Sequence, residues 1–193
     1  MAIGNFHGHT FVAFADIAGF KTMMGDGNRG AAALDCLYRS GYSVIRDQPP
    51  DRPRVEGLFV SDCGILFVRD HQATGLRLEA LLAAVESLNR KCFQEAVSLT
   101  TAIAWGDFSY HERIEIPGIE KNPVYGNAYV AAYLDNEAAN PKLYANECRI
   151  LKRELPNDAR DVCMNRMGTV GKRVRNTPDY FYFEWMRPTD QLI

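Results

Sequence analysis

From Thr10 to Trp105 the chain alternates short apolar runs with longer helical repeats, in the order strand, helix, strand, strand, helix, strand. That order restricts the fold more than any other property of the sequence. Thr10 to Ala15 is almost wholly apolar, as a central strand covered on both faces requires, and it ends at Asp16. Gly25 to Gly30 reads as a loop, after which Leu34, Leu37, Tyr38, Gly41, Val44 and Ile45 recur at helical spacing until Pro49, Pro50 and Pro53 break the pattern. Val55 to Val68 holds two apolar strands separated by Ser61-Asp62-Cys63-Gly64, a composition suited to a tight hairpin. A second helix runs from Leu76 to Phe93, with Leu78, Leu81, Leu82, Val85 and Leu88 on one face. A strand from Leu99 to Trp105 follows and is expected to end at Gly106.

The rest extends this core. Asp107 to Val124 alternates Tyr110, Ile114 and Ile116 before prolines and suggests an extended arm or hairpin; Gly126 to Asn140 is an Ala-rich helix stopped by Pro141; Tyr180 to Trp185 is a closing strand. The predicted class is α+β: a ferredoxin-like βαββαβ core with a C-terminal extension, in one domain spanning residues 1–193. At 193 residues with 47% hydrophobic and 24% charged residues, the chain is large enough for one substantial core. A net charge of −2 excludes a general attraction to nucleic acid or anionic lipid, so any phosphate site has to be local. Five scattered cysteines without a Cys-x-x-Cys pair read as reduced, mostly buried thiols. No segment approaches the roughly 20 apolar residues of a membrane span, and a cytoplasmic protein is expected.

Two acids stand out. Asp16 ends a strand and Asp62 sits at a hairpin tip, and the βαββ order allows their strands to be neighbours. Two carboxylates suffice for Mg²⁺ or Mn²⁺ when phosphate oxygens and water complete the shell. Each acid also has a simpler local role, Asp16 as a helix cap and Asp62 as a turn residue. The Gly19-Phe20-Lys21 turn offers backbone N–H groups to a phosphate. Phe14, on the same strand face as Asp16, is placed either in the core or against a base or ribose. Tyr129 and Tyr133 share a helix face suited to packing in the core or at a subunit contact. The His7-Gly8-His9 pair lacks a third ligand nearby and receives no role.

The string Phe14-Ala15-Asp16-Ile17-Ala18-Gly19-Phe20 resembles the D-I-x-G-F signature of class III adenylyl and guanylyl cyclases, and Ser61-Asp62 resembles their second hairpin motif. Tyr125-Gly126-Asn127-Ala128-Tyr129-Val130-Ala131-Ala132 is similar to the segment that opens their late helix. The resemblance implies that Asp16, the Ile17 carbonyl and Asp62 bind two divalent cations, that Gly19 and Phe20 lie beside the phosphates, and that Asp16 and Asp62 are catalytic. It further implies a triphosphate-binding Lys before the last strand, for which Lys172 is the candidate. Lys172 with Arg173 also fits a solvated surface turn, and Lys21 and Arg29 are weaker candidates.

The departures from the family matter as much. Where purine cyclases carry a transition-state Asn and Arg, this chain has Val130 and Leu134. The base-selecting pair falls on Leu58 and near Pro123. With both metal acids kept, the pattern resembles the pyrimidine cyclases of bacterial Pycsar anti-phage systems. That resemblance implies a homodimer with its active sites at the interface, Mn²⁺ as cofactor, and UTP or CTP as substrate. A catalytically inactive nucleotide-sensing module and a purine cyclase are the alternatives. An RNA-binding ferredoxin-like domain is disfavoured by the absence of a basic surface and of exposed aromatic pairs.

Overall fold

A computed structural model of the chain describes residues 4–69 and 71–186. Its elements are β1 (Phe6–Ile17), α1 (Phe20–Met23), α2 (Gly27–Arg46), β2 (Val55–Val60), β3 (Cys63–Val68), α3 (Thr74–Gln94), β4 (Leu99–Tyr110), β5 (Arg113–Ile116), β6 (Ile119–Lys121), β7 (Val124–Tyr125), α4 (Asn127–Asn136), β8 (Cys148–Leu151), α5 (Asn157–Met164), β9 (Val174–Asn176) and β10 (Tyr180–Phe183). The main sheet runs β2-β3-β1-β4-β8-β10-β9, with β7 paired to the end of β4 and the β5–β6 hairpin forming a separate arm. Strand β4 meets β8 in parallel, and every other pairing is antiparallel.

The expected βαββαβ core is present. Strand β1 pairs with β4 along its whole length, from Phe6 opposite Tyr110 to Ile17 opposite Leu99, and its residues Thr10–Ala15 are buried on both faces. Phe11, Ala13, Ala15 and Ile17 face the larger core beneath α2 and α3. Val12 and Phe14 face a smaller one closed by Ala128 and Ala132 of α4. Period-two alternation thus divides the strand between two cores.

The structure differs from the sequence expectation at several places. The first strand begins earlier and ends later than Thr10 to Ala15, because His7 and His9 are held opposite Ser109 and Asp107. Gly106 does not end the fourth strand. The ladder with β1 continues through it, and a β-carbon at residue 106 would crowd the backbone nitrogen of Ala128 where α4 begins. The late helix stops at Asn136 instead of reaching Asn140. The Asn136 side chain accepts from Thr100 Oγ1 at 3.0 Å and donates to the Phe14 carbonyl at 3.3 Å, which ties the end of the helix to β4 and β1. Strands β8 and β9 and helix α5 had no counterpart in the pattern. Strand β8 is four residues long and carries Arg149 with a fully buried side chain, which masks its apolar signal.

Arg149 explains how α4 is fixed to the sheet. Its Nε donates to Asp135 Oδ2 at 2.6 Å, its two terminal nitrogens donate to the carbonyls of Asp135 and Pro141, and its guanidinium lies 4.5 Å from the centre of the Tyr180 ring. Cys36, Cys92, Cys148 and Cys163 are buried and all five thiols are free, as expected. Among the described residues no helix is long and apolar enough to cross a membrane.

Removing Asp135 leaves a buried cation without its counter-ion. Asp135→Ala is expected to lower unfolding free energy by about 3 kcal/mol in urea denaturation. A loss under about 1 kcal/mol would show that the carbonyls alone satisfy Arg149.

Candidate active site

Three chain segments meet where β1 leaves the sheet. Asp16 pairs with Cys63, the first residue of β3, and the Ile17 N–H donates to the Asp62 carbonyl at 3.0 Å. Val60 and Cys63 close a two-residue connection, Ser61-Asp62, whose first residue takes φ +55. Such a turn matches the right-handed twist of the flanking strands. The two acids predicted from sequence are thus brought together by the β1–β3 ladder and the hairpin tip.

Asp16 is even-numbered on β1, so its side chain lies on the α4 side of the sheet, as Phe14 does. It lies within the field of an acid that the sequence had not suggested, Glu137, which follows the last residue of α4. Burial, then the charge of Asp62, then that of Glu137 push the Asp16 carboxyl up to about 7. Cys63, between the acids, is pushed up to about 11 by burial and by the charges of Asp16 and Asp62. Its thiol stays protonated at neutral pH and donates to the Val60 carbonyl at 3.1 Å. Negative charge is therefore concentrated on oxygen atoms, and the excess is partly relieved by a proton on Asp16.

Those donors fit a hard cation. Among the described residues no trio of His, Cys, Asp and Glu gathers in a metal-ligand geometry. A closed zinc centre is not built here, whereas Mg²⁺ or Mn²⁺ accepts one or two carboxylates and fills its shell with water and phosphate. His7 and His9 are engaged with Ser109 and Asp107 at 2.7 and 3.1 Å.

The other predicted residues fall in different places. Leu58 and Phe14 both pair with Ile65, so the three occupy one row across β2, β3 and β1, next to the row of Val60, Cys63 and Asp16. Phe14 is 4% exposed, with Tyr133 edge-on at 5.3 Å and Tyr129 at 6.3 Å. Its ring is covered by the helix whose two tyrosines were expected to share a face. Gly19 adopts φ 76 and opens α1, while the Phe20 ring turns into the larger core on the opposite side of the sheet, leaving only its backbone toward the loop. Lys21 and Arg29 are exposed on the segment that follows. Lys172 is exposed in a 3₁₀ turn leading into β9, the edge strand separated from β1 by β4, β8 and β10. One chain does not bring Lys172 to the acid pair.

Val130 and Leu134 are 47% and 60% exposed on the outer face of α4. They line a cleft of about 510 Å³ with Trp105, Ala131 and Leu151. Pro123 is half-buried just before β7, where its carbonyl accepts from the His111 N–H at 3.1 Å. The signal for Glu137 is the end of α4 at Asn136, which places it as the residue capping that helix.

No protein-family model and no curated protein matches the sequence. Solved structures do match the fold. The adenylyl cyclase CyaB from P. aeruginosa aligns over 94% of this chain and 95% of its own, with 13% identity and a TM-score of 0.63. The guanylate cyclase domain of RhGC from Catenaria anguillulae in complex with GTP aligns over 93% and 96%, with 9% identity and a TM-score of 0.62. A non-canonical dimeric guanylyl cyclase domain of the RhoGC fusion protein from Blastocladiella emersonii aligns over 94% and 98%, with 8% identity and a TM-score of 0.65.

A carboxyl raised above its unfolded value holds a proton in the folded state that the unfolded chain releases, so stability falls as pH rises from about 4 to about 7. Without divalent cations at pH 8, Asp16→Asn is expected to be more stable than the parent by about 1–2 kcal/mol, after allowance for partial exposure. The gap should close below pH 4. Millimolar Mn²⁺ should raise the parent's thermal midpoint more than that of the variant; equal responses would remove Asp16 from the cation site. Sheet order, crossing helices and the full-length alignments agree: this chain has the fold of adenylyl and guanylyl cyclase catalytic domains.

Proposed function

We propose that the protein is a nucleotidyl cyclase that closes the ribose 3′-hydroxyl of a pyrimidine nucleoside triphosphate, UTP or CTP, onto its own α-phosphorus. The products are the 3′,5′-cyclic monophosphate and pyrophosphate. The observation that carries the proposal is the meeting of Asp16, near the end of β1, with Asp62, at the tip of the β2–β3 hairpin, within a cyclase fold and at a site whose donors are oxygen.

Asp16, Asp62 and the Ile17 carbonyl would hold two Mn²⁺ or Mg²⁺ ions, which supply charge neutralisation at the triphosphate and acidify the attacking hydroxyl. The chain's part is positioning. The β1–β3 pairing sets the spacing of the two carboxylates, and the Gly19-Phe20-Lys21 backbone follows Asp16 closely enough to receive phosphate oxygens. Asp16 can receive a proton near neutral pH and give it up when positive charge arrives.

Base choice is inferred from what the site lacks. Leu58 presents no hydrogen-bonding group in the row beside the acids, and Pro123 offers no polar side chain, so the pair with which purine cyclases select their base is missing. Buried polar contacts are what discriminate strongly between bases, so their loss removes purine selection. We infer a homodimer with the active sites at the interface. Lys172 lies far across the sheet from the acids of its own chain, and the exposed Val130 and Leu134 surface needs cover. The cyclic product would serve as a second messenger in anti-phage defence, by resemblance to the Pycsar cyclases. Val130 and Leu134 also favour a second reading, a nucleotide-binding module that does not turn over.

Incubated with Mn²⁺ and each of the four ribonucleoside triphosphates, the protein is expected to release cyclic nucleotide chiefly from UTP or CTP. Asp62→Ala should lower the rate at least about 10²-fold while the thermal midpoint stays within a few degrees. Product from ATP or GTP alone would sink the pyrimidine assignment. Tight triphosphate binding without product under any metal would favour the sensor module.

A further inference from the structure

We propose that Tyr38 of α2 is a positioning residue for Asp62, fixing the direction in which that carboxylate points. The inference rests on the two-acid site proposed above and concerns how the site is held in place. The Tyr38 hydroxyl donates to the carbonyl oxygen of Ser61 at 3.0 Å. On the other side of Asp62, its own carbonyl accepts from the Ile17 N–H, also at 3.0 Å. The two peptide planes flanking the Asp62 α-carbon are therefore both anchored, one to α2 and one to β1. Because those planes set the backbone angles of Asp62, they set the direction of its Cα–Cβ bond.

Anchoring matters because Ser61 takes φ +55, a left-handed conformation that a residue with a side chain adopts only when its surroundings hold it there. The helix reaches the turn by close packing. Phe59 of β2 points toward α2, with Tyr42 edge-on at 5.3 Å and Tyr38 at 6.4 Å between ring centres. Its ring occupies space left by two glycines: a β-carbon at Gly41 of α2 or at Gly64 of β3 would overlap it. Tyr38, Gly41 and Tyr42 lie on one helix face, at positions i, i+3 and i+4, and together they grip the hairpin. Tyr38 is the member of this face that reaches the tip.

The test separates direction from packing. Mn²⁺ binding is followed by electron paramagnetic resonance with 3′-deoxy-UTP and 3′-deoxy-CTP present, neither of which can cyclise. Tyr38→Phe keeps the ring and loses the hydroxyl, and it should weaken Mn²⁺ binding about tenfold while the thermal midpoint moves by no more than about 4 °C. Tyr42→Phe removes a hydroxyl from the same aromatic cluster and should bind like the parent. Parent-like binding by Tyr38→Phe, beside loss of binding in Asp62→Ala, would overturn the proposal. So would equal weakening in Tyr42→Phe, which would assign the effect to packing of the cluster. If the parent itself binds no Mn²⁺, the two-acid site falls first and the role of Tyr38 falls with it.

Discussion

The full-length antiparallel ladder between β1 and β4 is the constraint on which the rest of the molecule depends. Both strands are covered on both sides, by α2 and α3 on one and by α4 on the other, so neither can shift register without moving an apolar row into the wrong core. That register decides where Asp16 points. A slip of one residue would turn its carboxylate toward α2 and α3 and put Ile17 in its place. The acid is expensive to hold where it is, half-buried and near two other carboxylates, and the ladder supplies the rigidity that keeps it there.

Much of this was legible in the chain because the determining residues are consecutive and apolar. The run ending at Asp16, the hairpin around Ser61-Asp62 and the two long helices all follow from period and punctuation, and their order alone implies that the two acids can be neighbours. The remainder was hidden for physical reasons. Strand β8 is short and contains Arg149, whose burial is tolerable only because Asp135, two carbonyls and the Tyr180 ring surround it, and none of these partners adjoins it in sequence. The start of β1 is masked in the sequence because His7 and His9 are polar residues whose cross-strand partners, Ser109 and Asp107, lie far along the chain. Glu137 was missed because side-chain bonds from Asn136 to β1 and β4, which no periodicity registers, bring its turn to the site.

The smaller core has a double role. Phe14 is covered by Tyr129 and Tyr133, so the position that sequence suggested for a base or ribose contact is part of the packing that seats α4. Since α4 also carries Val130 and Leu134 on its outer face, a single helix joins the packing around Phe14 to the exposed cleft. Those two side chains point away from the packing around Phe14, so they can vary without disturbing the seat of the helix.

The ring of Phe59, lodged over Gly41 and Gly64, has a consequence for how such a chain can drift. Three positions on α2, β2 and β3 share one volume, so enlarging either glycine is tolerated only with a smaller residue at 59, and that exchange would loosen the helix from the hairpin tip. Among the described residues no ion pair joins the tip to α2, and the attachment rests on the packing around Phe59 and the Tyr38 hydroxyl. Ionic strength should therefore screen the approach of cations and triphosphate to the acids while leaving the placement of Asp62 untouched.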